Sequence, residues 1–231
     1  MTSWIDYWNC DHPIYVSERH KALHASGIVR DFARHIPNSG AAVLDYGCGE
    51  ALYAEDVARL CRWLVLSDAA PAVRAKLAAR IAHMPAITVE GPDDTTGRMG
   101  ASFDLIVVNS LLQYLDTATL DGLLDLWKRL LKPGGKLVIA DVIPPGVSPV
   151  KDAAALLRFG WQGGFLSAAL MGLIRTALSG YRKLRGELGF SMHGEADFIA
   201  LLAKHGLQAV RAHPNFGHNQ ARMTFVAVAA S

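Results

Sequence analysis

A chain of 231 residues that is 51% hydrophobic, with a positive mean hydropathy, is long enough to bury one sizeable α/β core. Its formal charge of +2, with no run of basic residues interleaved with aromatics, counts against a nucleic-acid partner. No signal-peptide pattern opens the chain, and the cysteines at 10, 48 and 61 have neither metal nor disulfide spacing. The most apolar segment, Phe165 to Leu178, is interrupted by Arg175 and falls short of the about 20 residues needed to span a bilayer. A reduced, cytoplasmic protein is the expectation.

Residues 1–16 are rich in aromatics (Trp4, Tyr7, Trp8, Tyr15) without a period, so they either cover a pocket or pack on the main domain. Ser17 is placed to cap a helix running to about Ile36, which Pro37-Asn38-Ser39-Gly40 ends. His20 and His24 share a face of that helix. The spacing can bind a metal, but no third ligand suggests itself, and no metal is expected.

Val43-Leu44-Asp45-Tyr46-Gly47-Cys48-Gly49-Glu50-Ala51 then reads as the end of a buried strand, a glycine turn and the start of a helix running to Leu60. That geometry brings backbone N–H groups close to a ligand. Asp45 would repel a pyrophosphate but suits a sulfonium cofactor with a free α-amino group. A second strand, Trp63 to Leu66, ends at Ser67-Asp68, and Asp68 follows the glycine turn by roughly 20 residues, the separation of an acid that binds a ribose diol. Asp68 is also placed to cap the helix that Pro71 opens, and both roles can hold together. Ile87 to Glu90 is a third strand, and residues 91–97 read as a loop.

Phe103 to Val108 is a fourth strand with the apolar run of a parallel, doubly covered sheet, and it leads into Asn109 to Leu115. Asp116 caps a helix reaching Leu131, Lys132-Pro133-Gly134-Gly135 stops it, and Lys136 to Val142 is a fifth strand. Residues 151–185 are helical, and the glycines at 160, 163, 164, 172 and 180 are expected to break them into short helices. Their apolar residues exceed what one helix face needs. A dimer interface or packing on the core would use them, and so would an apolar substrate pocket entered from a membrane surface. Arg158, Arg175, Arg182 and Arg185 are available to hold a carboxylate or phosphate, although most solvent-facing arginines bind nothing. A capped helix from Glu195 to Leu207, a strand from Gln208 to Ala212 and a last strand from Met223 to Ala229 close the chain as a β-hairpin.

The glycine turn, the Phe103-Asp104 strand with its exit loop, and the passage Leu131-Lys132-Pro133-Gly134-Gly135 arrive in an order that resembles the class I S-adenosylmethionine-dependent methyltransferases of small molecules and lipids. Ala51 stands where that family often has a third glycine. The resemblance implies an α/β fold: a doubly wound, Rossmann-like, seven-stranded sheet, mostly parallel, with an antiparallel C-terminal hairpin and a helical lid. It implies one domain over 1–231, with a helical cap (1–36), a cofactor-binding core (37–143), a lid (144–193) and a final helix and hairpin (194–231). The cofactor would be S-adenosyl-L-methionine, bound by Asp45, Gly47, Cys48, Gly49, Asp68 and Ala69. Asp93 or Asp94, with Asp94 preferred, would meet the adenine amino group, and Asn109 and Ser110 the methionine end.

Gln113, Tyr114, Arg158 and Trp161 would face the acceptor. His20, His24, His193 and His218 are available as a base, with His20 or His24 preferred, since the N-terminal helix of such enzymes borders the site. The acceptor would be a small-molecule or lipid-like substrate, with no nucleic acid involved, and the apolar insertion would contact a membrane or a second copy of the chain in a homodimer. Two rivals stand beside this reading. A nicotinamide-dependent oxidoreductase would need the full glycine fingerprint, of which residues 47–52 supply half. A catalytically inactive relative would act through the insertion as an interaction surface.

Overall fold

The computed structural model describes residues 4–9, 15–178 and 191–230; Cys10, Gly180, Arg182 and Arg185 lie outside them. Seven strands form one sheet: β1 (Ala42–Tyr46), β2 (Trp63–Ser67), β3 (Ile87–Glu90), β4 (Phe103–Asn109), β5 (Leu131–Val142), β6 (Leu207–Ala212) and β7 (Met223–Ala229). Their order is β3-β2-β1-β4-β5-β7-β6, with β7 antiparallel to both its neighbours and β1 to β5 parallel. This is the expected doubly wound sheet with its C-terminal hairpin. The strand order reverses between β1 and β4, so a crevice opens there beyond the carboxyl ends of the strands.

Alternate residues of each strand feed two cores, as a sheet covered on both faces requires. Val43, Leu64, Leu66, Leu105 and Val107 pack with Ile28 and Phe32 of α2 (Glu18–His35), Val57 of α3 (Ala54–Ala58) and Leu77 of α4 (Pro71–Ile81). Leu44, Val65, Ile106, Val108 and Ile139 face Leu124 and Trp127 of α6 (Thr117–Leu130) and Phe198 of α9 (Glu195–Lys204). Asp104 explains why two of the sequence signals travel together. Its Oδ2 accepts from the Ala42 N–H at 2.8 Å and from Lys132 Nζ at 2.7 Å, which ties the starts of β1, β4 and β5 into one corner.

Several expectations are corrected. Residues 92–97 form a short helix, α5 (Pro92–Gly97), because Pro92 stands at its first position and the Asp94 carboxylate accepts the Gly91 N–H at 3.0 Å. The helix after the glycine turn begins only at Ala54, since Ala51 sits at φ 39° and holds the chain in a turn. α6 stops at Leu130, as expected, but β5 begins at Leu131, paired with Phe103, rather than at Lys136, so Lys132 to Gly135 belong to the strand.

In the insertion, α7 (Pro149–Gly163) and α8 (Leu166–Leu178) are separated at Gly164, whose φ of 73° ends α7. Gly160, Gly163 and Gly172 do not break helices; they let elements approach. A Cβ on Gly163 would lie 2.6 Å from Leu23, and one on Gly172 would lie 2.2 Å from Val16. Among the described residues, no helix is long and apolar enough to cross a membrane.

Candidate active site

The carboxyl ends of β1, β2, β4 and β5 carry the polar residues that the sequence marks out. The turn after β1 is tied to β2 by three bonds: Gly47 and Cys48 donate to the Ser67 carbonyl at 2.8 and 3.1 Å, and Gly49 donates to Asp68 Oδ2 at 2.9 Å. Asp68 Oδ1 accepts from Ala70 N at 2.8 Å, so the carboxylate orders the turn and the start of α4 at once. Each oxygen keeps lone-pair capacity for a diol. Gly47 and Gly49 both have positive φ, and among the described residues a Cβ on Gly49 would meet nothing within 4 Å, which leaves space against the turn there. Arg80, which the sequence reading did not single out, donates from α4 to the carbonyls of Glu50 and Ala51 at 2.8 and 2.7 Å and holds the turn from outside.

Asp45 lies beneath this turn, 1% exposed, and accepts the Tyr53 hydroxyl at 2.7 Å. Burial pushes its carboxyl up to about 7, with Tyr53 opposing and the Asp68 charge adding. A positive group nearby would offset that cost. Cys48 is buried and its thiol is raised well above the usual value, first by desolvation, so it is no reactive thiolate. Asp94 is engaged in the α5 cap, whereas the Asp93 charge is felt at Tyr46, on the crevice side of β1.

On the other side of the switch, Ser110 (φ 57°) and Asp141 (φ 60°) end β4 and β5 in a conformation unfavourable for residues with a side chain, and Ser110 Oγ donates to Asp141 Oδ2 at 2.8 Å. Gln113 is buried, donates to the Ser110 carbonyl at 2.8 Å and leaves its Oε1 without a partner among the described residues. Tyr114 packs against Trp4 and Trp8 at 4.7 and 5.8 Å between ring centroids, and Asn9 Oδ1 accepts from Ala72 N at 2.8 Å. The N-terminal helix α1 (Trp4–Trp8) therefore reaches from the exit of β4 to the start of α4, across the crevice.

His20 and His24 join a third histidine from a distant part of the chain. His218, in the β6–β7 loop, lies 6.4 Å from His20 and 6.2 Å from His24 between ring centroids, and the group is walled by Tyr15, Phe159 and Phe165. Among the described residues, no group of three side chains is arranged to hold a metal ion. Burial holds His24 and His218 down to about 4, reinforced by the neighbouring rings, so both are neutral at pH 7. His20 Nδ1 accepts from the Val16 N–H at 3.3 Å, which occupies its acceptor nitrogen. Tyr15 connects this cluster to the glycine turn, because it packs on His24 and feels the charges of Glu50 and Arg80.

His24 and His218 line a cavity of about 630 Å³ between α2, α7 and the β6–β7 loop, together with Arg158 and Phe159. α7 is fastened at both ends of that cavity. Asp152 accepts from Asn219 at 3.0 Å and Arg222 at 2.8 Å, and the Gly163 carbonyl accepts from Arg19 at 2.9 Å. Trp161, expected to face the acceptor, is instead 75% exposed and lies outside the cavity that Arg158, Phe159 and Gln162 line. Arg175 is likewise exposed.

Residues 43–135 match the methyltransferase domain family. The chain is 30% identical over 144 residues to a ubiquinone biosynthesis O-methyltransferase of Xanthomonas oryzae pv. oryzae (strain PXO99A), covering 58% of this chain and 55% of that protein. It is 33% identical over 132 residues to one of Xylella fastidiosa (strain 9a5c), covering 53% and 51%. The chain thus spans about half the length of the curated relatives it matches.

The fold is shared with magnesium protoporphyrin IX methyltransferase of Synechocystis PCC 6803 with bound S-adenosylhomocysteine, at 14% identity and a TM-score of 0.58, over 96% of this chain and 90% of that one. It is shared also with N-methyltransferase NodS of Bradyrhizobium japonicum WM9 in complex with S-adenosylhomocysteine, at 17% identity and a TM-score of 0.55, over 96% and 94%. Residues 43–135 thus carry a methyltransferase domain, and the sheet around them has the fold of S-adenosylhomocysteine-bound methyltransferases.

Proposed function

We propose that the chain transfers a methyl group from S-adenosylmethionine to an oxygen of a small, apolar or lipid-like acceptor. The observation that carries this reading is the adjacency of two spaces: the open turn at Gly49 with Asp68 and Asp45, and a cavity walled by neutral histidines beyond Tyr15. Relatives named as O-methyltransferases support oxygen as the accepting atom.

The cofactor, when bound, supplies an activated methyl on a sulfonium, so the protein's share is alignment, exclusion of water and care of one proton. Asp68 would hold the ribose hydroxyls, Asp93 or Asp94 the adenine, Asn109 and Ser110 the methionine end, and Asp45 would balance its positive charge. Gln113 Oε1, buried and unpartnered, would accept from a donor in the crevice. α1 would cover the crevice. The acceptor's hydroxyl proton would pass to the free ring nitrogen of His24, with His218 beside it, as the new C–O bond forms and the C–S bond breaks. Acceptors of this kind partition into bilayers, and Leu170, Met171 and Ile174 expose an apolar face on α8 that suits delivery from a membrane surface.

Calorimetric titration with S-adenosylhomocysteine, repeated on Asp68→Ala, tests the foundation. Micromolar binding weakened by about 1.5–3 kcal/mol is expected on losing a charged hydrogen-bond acceptor. No binding to the unmodified chain would remove the methyltransferase reading.

A further inference from the structure

The cavity has a second character that methyl transfer to an apolar acceptor does not call for. Besides the histidines it is lined by Arg30 and Arg34 from α2 and by Arg158 from α7, and among its lining residues these three guanidinium groups meet one carboxylate, Asp31. That carboxylate is committed elsewhere. It is buried, accepts the Gly217 N–H at 2.7 Å and pairs with Arg34, so it anchors the β6–β7 loop to α2 and orients Arg34. Arg30 and Arg158 make no hydrogen bond or ion pair among the described residues.

Both arginines are exposed, with the Arg30 charge felt at Asp31, so water screens them in the free protein and they stay available to an anion that enters the cavity. Beneath it, Arg222 is paired with Asp152 at 2.8 Å and lies 4.0 Å from Asp141, so its charge is balanced there and the unbalanced charge of this end is that of the cavity's own arginines. Leu23 and Phe159 add apolar surface to the lining, and Phe159 stacks on His218 at 4.7 Å.

We propose that this cavity binds an oxyanion, a carboxylate or a phosphate, carried by the methyl acceptor at the end remote from the hydroxyl that reacts. The acceptor is thus an amphipathic anion: its charged group sits among Arg30, Arg34 and Arg158, its apolar body lies on Phe159 and Leu23, and its hydroxyl meets His24. Planar guanidinium forks recognise both oxyanions in the same way. The assignment rests on the proposed methyl transfer for the word acceptor, but the anion site itself is testable without turnover.

The probes are 4-butylbenzoate, 4-butylphenyl phosphate and the neutral 4-butylbenzamide, titrated into the chain by calorimetry with S-adenosylhomocysteine titrated separately. At least one anion is expected to bind about tenfold more tightly than the amide, and which one does so separates the carboxylate from the phosphate source. Arg30→Gln with Arg158→Gln should erase the preference while leaving S-adenosylhomocysteine binding unchanged, which also reports that the variant is folded. In the unmodified chain, raising the salt from about 0.05 to about 0.5 M should weaken the anion and spare the amide. Equal binding of anion and amide, or a preference that survives the double substitution or high salt, overturns the proposal. Failure of S-adenosylhomocysteine to bind would instead strike the cofactor reading, and the anion preference would still be read by itself.

Discussion

Asp45 is the carboxylate through which cofactor charge would couple to pH under the proposed reading. Asp45 titrates at about 7 because it is buried, and a cofactor carrying sulfonium and ammonium charges would draw it to the ionised form. Binding of S-adenosylmethionine near pH 7 should then release up to about half a proton, seen as a dependence of the calorimetric heat on the buffer's ionisation enthalpy. Affinity should rise as the pH passes upward through 7, and Asp45→Asn should abolish both effects. Uptake of a proton, or none exchanged, would show that Asp45 does not answer to the cofactor. At His24 the expectation is kinetic. His24→Ala should lower the rate constant for methyl transfer by about 10²-fold or more while the affinity for S-adenosylhomocysteine stays within a factor of about two. His20→Ala should affect the rate less, since the Val16 N–H occupies its acceptor nitrogen. Equal losses in both variants would return the role to packing.

At the level of elements, the sequence was legible wherever a local rule decides the outcome. Ser17 caps α2 by accepting the His20 N–H, Asp116 caps α6 by accepting that of Thr119, and each apolar strand lies where its run of residues predicts. It was less legible where a glycine is chosen for a neighbour rather than for its own dihedrals. Gly160, Gly163 and Gly172 look like helix breakers in a linear reading, but the contacts that require them come from residues distant in the chain or across a turn. The histidine cluster was half legible for a similar reason: helical spacing pairs His20 with His24, but nothing local connects them to His218, which the β6–β7 loop delivers. The same distinction makes a prediction for β5. A Cβ on Gly135 would lie 2.9 Å from the Lys132 carbonyl and 3.0 Å from that of Phe103, so Gly135→Ala must shift backbone and should cost about 1–3 kcal/mol in chemical denaturation. Gly134, at φ 76° with open space, needs only the left-handed conformation, and Gly134→Asn should cost well under that. Equal costs would mean that the corner at Asp104 yields more readily than its contacts indicate.

For the whole molecule, buried titratable groups set how stability follows pH, and they pull in opposite directions. His24 and His218 are held down to about 4, and His20, His35 and His193 are lowered as well, all first by burial. The unfolded chain takes up these protons near 6.5, before the folded one does, so their contribution is fully present above that pH and is lost as it falls toward 4. Asp45, raised to about 7, and Asp31 and Asp141, also raised by burial, act the other way: the folded chain keeps their protons above 3.8, and stability is lost as pH rises from there toward 7. His205, raised by its bonds to Asp125 and Asp121, also favours low pH, its contribution present below 6.5 and lost above, but the pair with Asp125 is exposed and contributes little. Between pH 7.5 and 5.0, the two histidines held down to about 4 act together against the one carboxylate raised to about 7. The midpoint of thermal unfolding should therefore fall between pH 7.5 and pH 5.0, and His24→Gln with His218→Gln should flatten that fall. A midpoint that rises toward pH 5 would mean that the buried carboxylates dominate, and Asp45→Asn, rather than the histidine pair, would then be the substitution that levels the curve.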